Sequence, residues 1–290
     1  MSTASLSDGA AGRASTVASF PAIGTSLWPT GLIAVLVLGC VLRLIWVGDI
    51  EYKLDESWTF AQIQQIRQGG PVPAFGMPTS QGFLNPGLSL WVFLPLAELI
   101  QAQSPTDLAR AIQISNVLAL LGLVAFGLWI VPRAEREVWL WSAALVSVNP
   151  LAVLFQRKIW PPSVFPILIV LFLVSWWHRE RRAGALCWGL IGASLGQING
   201  PGFFFAGGFA LWALLFDRKR VKWGSWFVGS CLGVVPMLSW LHYMLTDPHR
   251  LPVRRLISNA LEGKFWIRWT LEPLGFGLDY SLEDDFFDFL

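Results

Sequence analysis

Residues 27–47 read LWPTGLIAVLVLGCVLRLIWV, an apolar run whose single charge, Arg43, falls near its end. An α-helix rises 1.5 Å per residue, so about 20 such residues cover the hydrocarbon core of a bilayer. The run is too long for the apolar stretch of a signal peptide and no small-residue cleavage site follows it, so it reads as an uncleaved first membrane span. Further apolar runs lie at 107–131, 138–154, 163–177, 184–198, 203–216 and 224–245. The whole chain is 54% hydrophobic and only 14% charged, too little charge to cover a water-facing surface. Its 17 tryptophans suit the headgroup level of a membrane. A net charge of +2 without a basic, aromatic-interleaved patch excludes nucleic acid as a partner. Cys40, Cys187 and Cys231 each sit inside an apolar run and read as small packing residues, and the three histidines show no metal spacing. The expectation is an all-α, polytopic helical membrane protein of about seven transmembrane helices with external juxtamembrane helices.

Short basic loops set the orientation. Residues 132–137 (PRAERE), 178–182 (HRERR) and 217–222 (DRKRVK) separate alternate spans, and such loops stay in the cytoplasm. All three fall on one side if residues 82–100 do not cross. That segment is apolar but opens Asn85-Pro86-Gly87 and contains Pro95 and Glu98, and the charge rule favours an interfacial or re-entrant course for it. The resulting organisation is a disordered cytoplasmic N-terminus at 1–26, a transmembrane domain at 27–245 with a long external first loop at 48–106, and an external loop or tail at 246–290 that reads as a chain stopping within a domain. The protein is placed in the cell (inner) membrane, with its longer loops on the external, periplasmic side.

Chemistry concentrates in the external segments. The first loop holds Lys53-Leu54-Asp55-Glu56, followed by a predicted helix from Glu56 to Gln68, closed by Gly69-Gly70-Pro71. Phe60, Ile63 and Ile66 on one face, with Trp58 nearby, predict an amphipathic helix lying on the membrane surface. Asp55 reads either as the cap of that helix or as a general base held at the membrane surface. Adjacent side chains diverge on a helix, so Asp55 and Glu56 do not form a facing carboxylate pair. Arg157 and Lys158 in the second external loop, and Arg250, Arg254 and Arg255 in the tail, read either as snorkelling cations or as a phosphate clamp. Residues 196–202 (GQINGPG) read either as a tight hairpin between helices or as a backbone break lining a site.

The order of these parts resembles the GT-C superfamily of glycosyltransferases, with the protein O-mannosyltransferases and aminoarabinose transferases nearest. The matching features are a first span leading to Asp55-Glu56, then Gly69-Gly70-Pro71, Asn85-Pro86 opening a short apolar helix, Ala109-Arg110 starting a span and Asn149-Pro150 closing another; together they cover residues 27 to 260. The resemblance implies a GT-C-like transmembrane domain that moves a sugar from a polyprenyl-phosphate donor to a lipid, glycan or protein acceptor, with Asp55 as catalytic base and Glu56 as a secondary acidic candidate. The donor-phosphate candidates are Arg157, Lys158, Arg250, Arg254 and Arg255. No cofactor is implied with certainty, and a divalent metal is left open. Three departures weigh on the other side. The second external loop carries no acid where many relatives do, Asn85 stands where aminoarabinose transferases carry a basic residue, and the additional spans of full-length relatives are missing from this sequence. The alternative is a non-enzymatic or degenerate GT-C-like membrane protein, a truncated relative or a partner subunit. A transporter ranks third, because paired ionisable groups at mid-span are lacking.

Overall fold

The computed structural model describes residues 28–79 and 83–246, together with positions 263, 267 and 271. The N-terminal tail and most of the 246–290 segment, with Arg250, Arg254 and Arg255, lie outside the described residues. The chain is predominantly helical, and a helix forms at every one of the seven apolar runs. Among the described residues, two helical runs are long and apolar enough to cross a membrane, Pro105–Ile130 with 26 residues and Trp223–Thr246 with 24. The other apolar helices are shorter.

Helix α1 (Trp28–Leu44) carries Leu32 and Arg43 inward and leaves Ile33, Val37 and Val41 exposed. Helix α2 (Leu54–Arg67) begins with Lys53 as N-cap; the Glu56 carboxylate accepts the Lys53 backbone N–H at 3.1 Å. Asp55 is therefore one residue inside the first turn rather than the cap. The helix ends where Gly69 turns at φ +89, a conformation that favours glycine. Its apolar face packs within the protein. Ile63 is fully buried, and Trp58, Phe60 and Ile66 pack in the same cluster with Leu90, Phe93 and Ala97.

The segment after α2 departs from an all-α fold. Strands β1 (Phe75–Pro78) and β2 (Leu84–Pro86) pair antiparallel. The Asn85 side-chain amide donates to the Met77 carbonyl at 2.9 Å, and the Trp240 indole donates to the Leu84 carbonyl at 2.7 Å. Two short helices follow, α3 (Leu88–Trp91) and α4 (Leu94–Leu99). With the two residues between them they form the stretch Leu88–Leu99, about 18 Å long if wholly helical against a hydrocarbon core of about 30 Å. Both ends of this segment return to α2 and its C-terminal extension: Trp91 donates to the Pro73 carbonyl, while Gln64 and Arg67 donate to the Ala102 carbonyl. Residues 83–100 thus fold back onto α2.

Helix α5 (Pro105–Ala125), continued by a π-helical turn over Phe126–Ile130, is the central element. Ser104 and Asp107 cap it reciprocally. It buries Leu108, Ala109, Ile112 and Ala119 against α1, α4 and α8. The run at 138–154 is broken in two, α6 (Arg136–Val148) and α7 (Pro150–Phe155), because Pro150 has no N–H to continue the ladder and Asn149 caps the new helix by accepting the Ala152 N–H at 2.9 Å.

Helices α8 (Phe165–Trp177), α9 (Arg182–Ile198), α10 (Pro201–Phe216) and α11 (Trp223–Val234) form the second layer around Phe172, Trp188 and Leu195; α12 (Leu238–Thr246) follows α11 after a 3₁₀ turn. Leu186 faces Gly229 and Leu190 faces Gly233 at one register, so α9 and α11 run in the same direction. A Cβ at Gly189 would sit 2.1 Å from the Trp226 carbonyl oxygen, and one at Gly229 2.0 Å from that of Leu186. Small residues let the two backbones touch. Gly189→Leu is expected to force them apart at a cost of about 3 kcal/mol, read as a lower midpoint of thermal unfolding in detergent. An unchanged midpoint would show that this contact is not needed.

Candidate functional site

A cleft with about 110 Å³ of free space opens where four parts of the chain meet: the start of α2, the β1–β2 hairpin with α3, the turn after α7, and the C-terminal end of α9. Asp55, Trp58 and Thr59 come from α2, Met77 and Asn85 from the hairpin, Ser89 and Leu90 from α3, Trp160 to Pro162 from the turn, and Ile198 and Asn199 from the α9–α10 junction. Asp55 is exposed, and among the described residues its carboxylate has no hydrogen-bond or ion-pair partner. It also lies in the first turn of α2, where the helix dipole favours a negative charge.

Glu56 does not join it. Its side chain is buried and engaged with the Lys53 N–H, outside the cleft lining. Arg157 and Lys158 do not line the cleft and are committed elsewhere. The Arg157 guanidinium donates to the carbonyls of Leu42, Trp46 and Asp49, at 3.3, 2.7 and 3.3 Å, and so closes the C-terminal end of α1. Lys158 pairs with Glu51, which also pairs with Lys53 at 2.9 Å. Burial lowers the pKa of the Lys158 ammonium. Among the described residues, no cluster of three His, Cys, Asp or Glu side chains could hold a metal ion.

The turn that carries Trp160 is held from beneath by two buried side chains. Arg43, 1% exposed, donates to the Gln156 side-chain oxygen at 2.7 Å and to the carbonyls of Gly39, Val146 and Ser147. Asn116 on α5 donates to the backbone carbonyls of Gln156 and Ser163, both at 2.9 Å. These bonds fix residues 156 and 163, the two ends of the segment between which Trp160, Pro161 and Pro162 reach the cleft. Asn116→Ala is expected to loosen that wall, costing about 1–3 kcal/mol for two buried carbonyls left without a donor. Thermal unfolding and limited proteolysis within 155–163 check it; a protein as stable and as resistant as the wild type would contradict it.

The sequence singled out Asp55 and the 196–202 break, and the structure brings Asp55 and Asn199 to one cleft. It did not single out Thr59 or Trp160. The signal for Trp160 was its place before Pro161-Pro162, which ends regular structure and turns the chain back towards α8. No family model, no curated protein and no solved structure matches this chain.

Proposed function

We propose that this chain is a multi-span membrane transferase that moves a sugar from a polyprenyl-phosphate donor to an acceptor at the external face of the membrane, with Asp55 as general base. The observation that carries this reading is the Asp55 carboxylate, unpartnered among the described residues, at a cleft walled by aromatic rings and amides. Position supports it as well. Helix α8 starts at the cleft and ends at the 178–182 loop, and α9 returns from that loop to the cleft. The cleft and this basic loop therefore sit at opposite ends of the helices, as an external site and cytoplasmic loops require. The outer faces of α1, α5, α10 and α11 expose Val37, Leu121, Leu214 and Phe227, as lipid-facing surfaces do.

In this reading seven helices span the bilayer, α6 and α7 together making one, and α3 and α4 lie at the external face. Asp55 removes the acceptor proton as the acceptor oxygen attacks the anomeric carbon, and the polyprenyl phosphate departs. Arg250, Arg254 and Arg255 remain as sequence candidates for the departing phosphate. Arg157 and Lys158 serve better as fasteners of α1 and of the first loop. Arg157→Gln is then expected to lower stability by about 1.5–3 kcal/mol while donor affinity stays within twofold. A tenfold loss of donor binding at unchanged stability would instead make Arg157 a phosphate ligand. The second reading, a GT-C-like protein without catalysis, is favoured by the lack of any free cation or second acid lining the cleft among the described residues.

Single-cysteine labelling in intact cells tests the arrangement. Cysteines at Glu51 and Gln103 should both react with an impermeant reagent, and one at Lys219 should not. Opposite accessibility of 51 and 103 would mean that the segment between them crosses.

A further inference from the structure

At the far end of the helices from the cleft, the loops 178–182 (HRERR) and 217–222 (DRKRVK) join into one surface. The Arg179 guanidinium lies over the Trp176 ring at 4.3 Å and donates to the Asp217 carboxylate at 2.8 Å. The Lys222 N–H donates to the Arg179 carbonyl at 3.1 Å, and the Trp223 indole N–H donates to the Arg218 carbonyl at 2.9 Å. Seven cations and two carboxylates therefore share one platform. Both carboxylates face cations of the platform itself, Asp217 through Arg179 and Glu180 through Arg220 at 3.8 Å. Arg181, Arg182, Arg218, Lys219 and Lys222 stand exposed around them. Like charges held this close repel, and salt screens them only in part.

An apolar surface begins where these cations end. Leu215 and Phe216 on the last turn of α10, and Phe227 and Val228 on α11, are exposed. Phe216 is only two residues before Arg218. A nucleic acid or an acidic soluble protein would cover the charges and leave those apolar side chains against water. A phospholipid matches both, with its phosphate on the guanidinium and ammonium groups and its chains along Leu215 and Phe216. The third loop, 132–137, lies at the same end, where the Trp139 and Trp177 rings sit 6.3 Å apart. Its Arg133 and Arg136 are balanced by Glu135 and Glu137, so the excess of positive charge belongs to the joined pair.

We propose that the joined 178–182 and 217–222 loops are a docking surface for anionic phospholipid, with Arg181, Arg182, Lys219 and Lys222 as its headgroup contacts. A lipid that bridges the two loops holds together the ends of α8, α9, α10 and α11. The proposal rests on the helices lying in a bilayer and not on Asp55 or on transfer.

The test follows lipid binding to the full chain in non-ionic detergent by native mass spectrometry, with thermal unfolding in parallel. The probes are dioleoyl phosphatidylglycerol and dioleoyl phosphatidylcholine. Phosphatidylglycerol should bind at least tenfold more tightly and raise the thermal midpoint by about 3 °C. Raising the salt from about 50 to about 500 mM should remove most of that preference. A variant carrying Arg181→Gln, Arg182→Gln, Lys219→Gln and Lys222→Gln should lose the preference while keeping its midpoint in phosphatidylcholine. Arg133→Gln should leave the preference within twofold of the wild type. Equal binding of the two lipids by the wild type would overturn the proposal, as would a full preference in the folded fourfold variant. Displacement of phosphatidylglycerol by glycerol 3-phosphate or by a poly-glutamate peptide would assign the surface to a soluble anion and overturn it too. Flotation with liposomes of each lipid keeps the two readings apart. A chain that inserts into both and binds them alike sinks this proposal alone, and one that inserts into neither sinks the membrane reading with it.

Discussion

Replacing Asp55 by Asn is expected to lower sugar transfer by about 10²- to 10⁴-fold, the usual contribution of a positioned general base, while the protein inserts and folds as before. Asn keeps the shape of Asp and loses its basicity. The fold should scarcely notice, because the Asp55 carboxylate has no partner to lose among the described residues and surface changes of this kind stay within about 0.5 kcal/mol. Glu56→Gln should show the inverse signature. Its carboxylate holds the Lys53 N–H and is buried, so the variant should lose about 1 kcal/mol of stability and only a small part of its rate. Initial transfer rates and thermal midpoints measured on both variants separate the two roles. If Asp55→Asn transferred at the wild-type rate, Asp55 would be no more than a charge at a helix end.

The second large effect is on stability and lies away from the cleft. Arg43→Met is expected to cost about 3 kcal/mol, because several buried carbonyls and the Gln156 side chain lose a charged donor at once. The reason lies in the Asn149-Pro150 break. The proline ring has no N–H for the Val146 carbonyl, and the guanidinium of Arg43 reaches across from α1 to supply one. Three donors from one planar group do this together, so Arg43→Lys should recover only part of the loss. Because Arg43 also holds Gln156, the Trp160 turn should loosen and transfer should fall although Arg43 does not line the cleft. Thermal unfolding in detergent checks the energy. A variant as stable as the wild type would mean that removing a buried cation from α1 offsets the lost bonds.

The helices were legible because an apolar run is a direct statement of what a segment can bury or turn to lipid. A helix formed at each of the seven runs from 27–47 to 224–245, with one split at Asn149-Pro150 and the last interrupted by a 3₁₀ turn over Val235–Met237. The hairpin escaped notice because its strands are only four and three residues long and end in Pro78 and Pro86, which gives no alternation to detect. Helix α2 was legible as amphipathic, but periodicity tells only that one face is apolar. It does not tell whether lipid or α3 and α4 cover that face. Asp55 was singled out by its place after the first span, and the Gly- and Pro-rich break pointed to the stretch that holds Asn199; both line the cleft. The partners of Arg157 were not legible for a physical reason: a long cation near a helix end can reach for the unpaired carbonyls of another helix, and those carbonyls lie more than a hundred residues earlier in the chain.

Transfer itself is the most direct measurement. The full chain, reconstituted in proteoliposomes with a polyprenyl phosphate carrying a radiolabelled hexose, is followed for loss of label from the donor in the presence of a membrane extract as acceptor source. The account predicts that label leaves the donor at a rate that Asp55→Asn reduces at least a hundredfold, with both proteins equally folded. Label that stays on the donor with the folded wild-type protein, or that leaves it equally fast with Asp55→Asn, would contradict it.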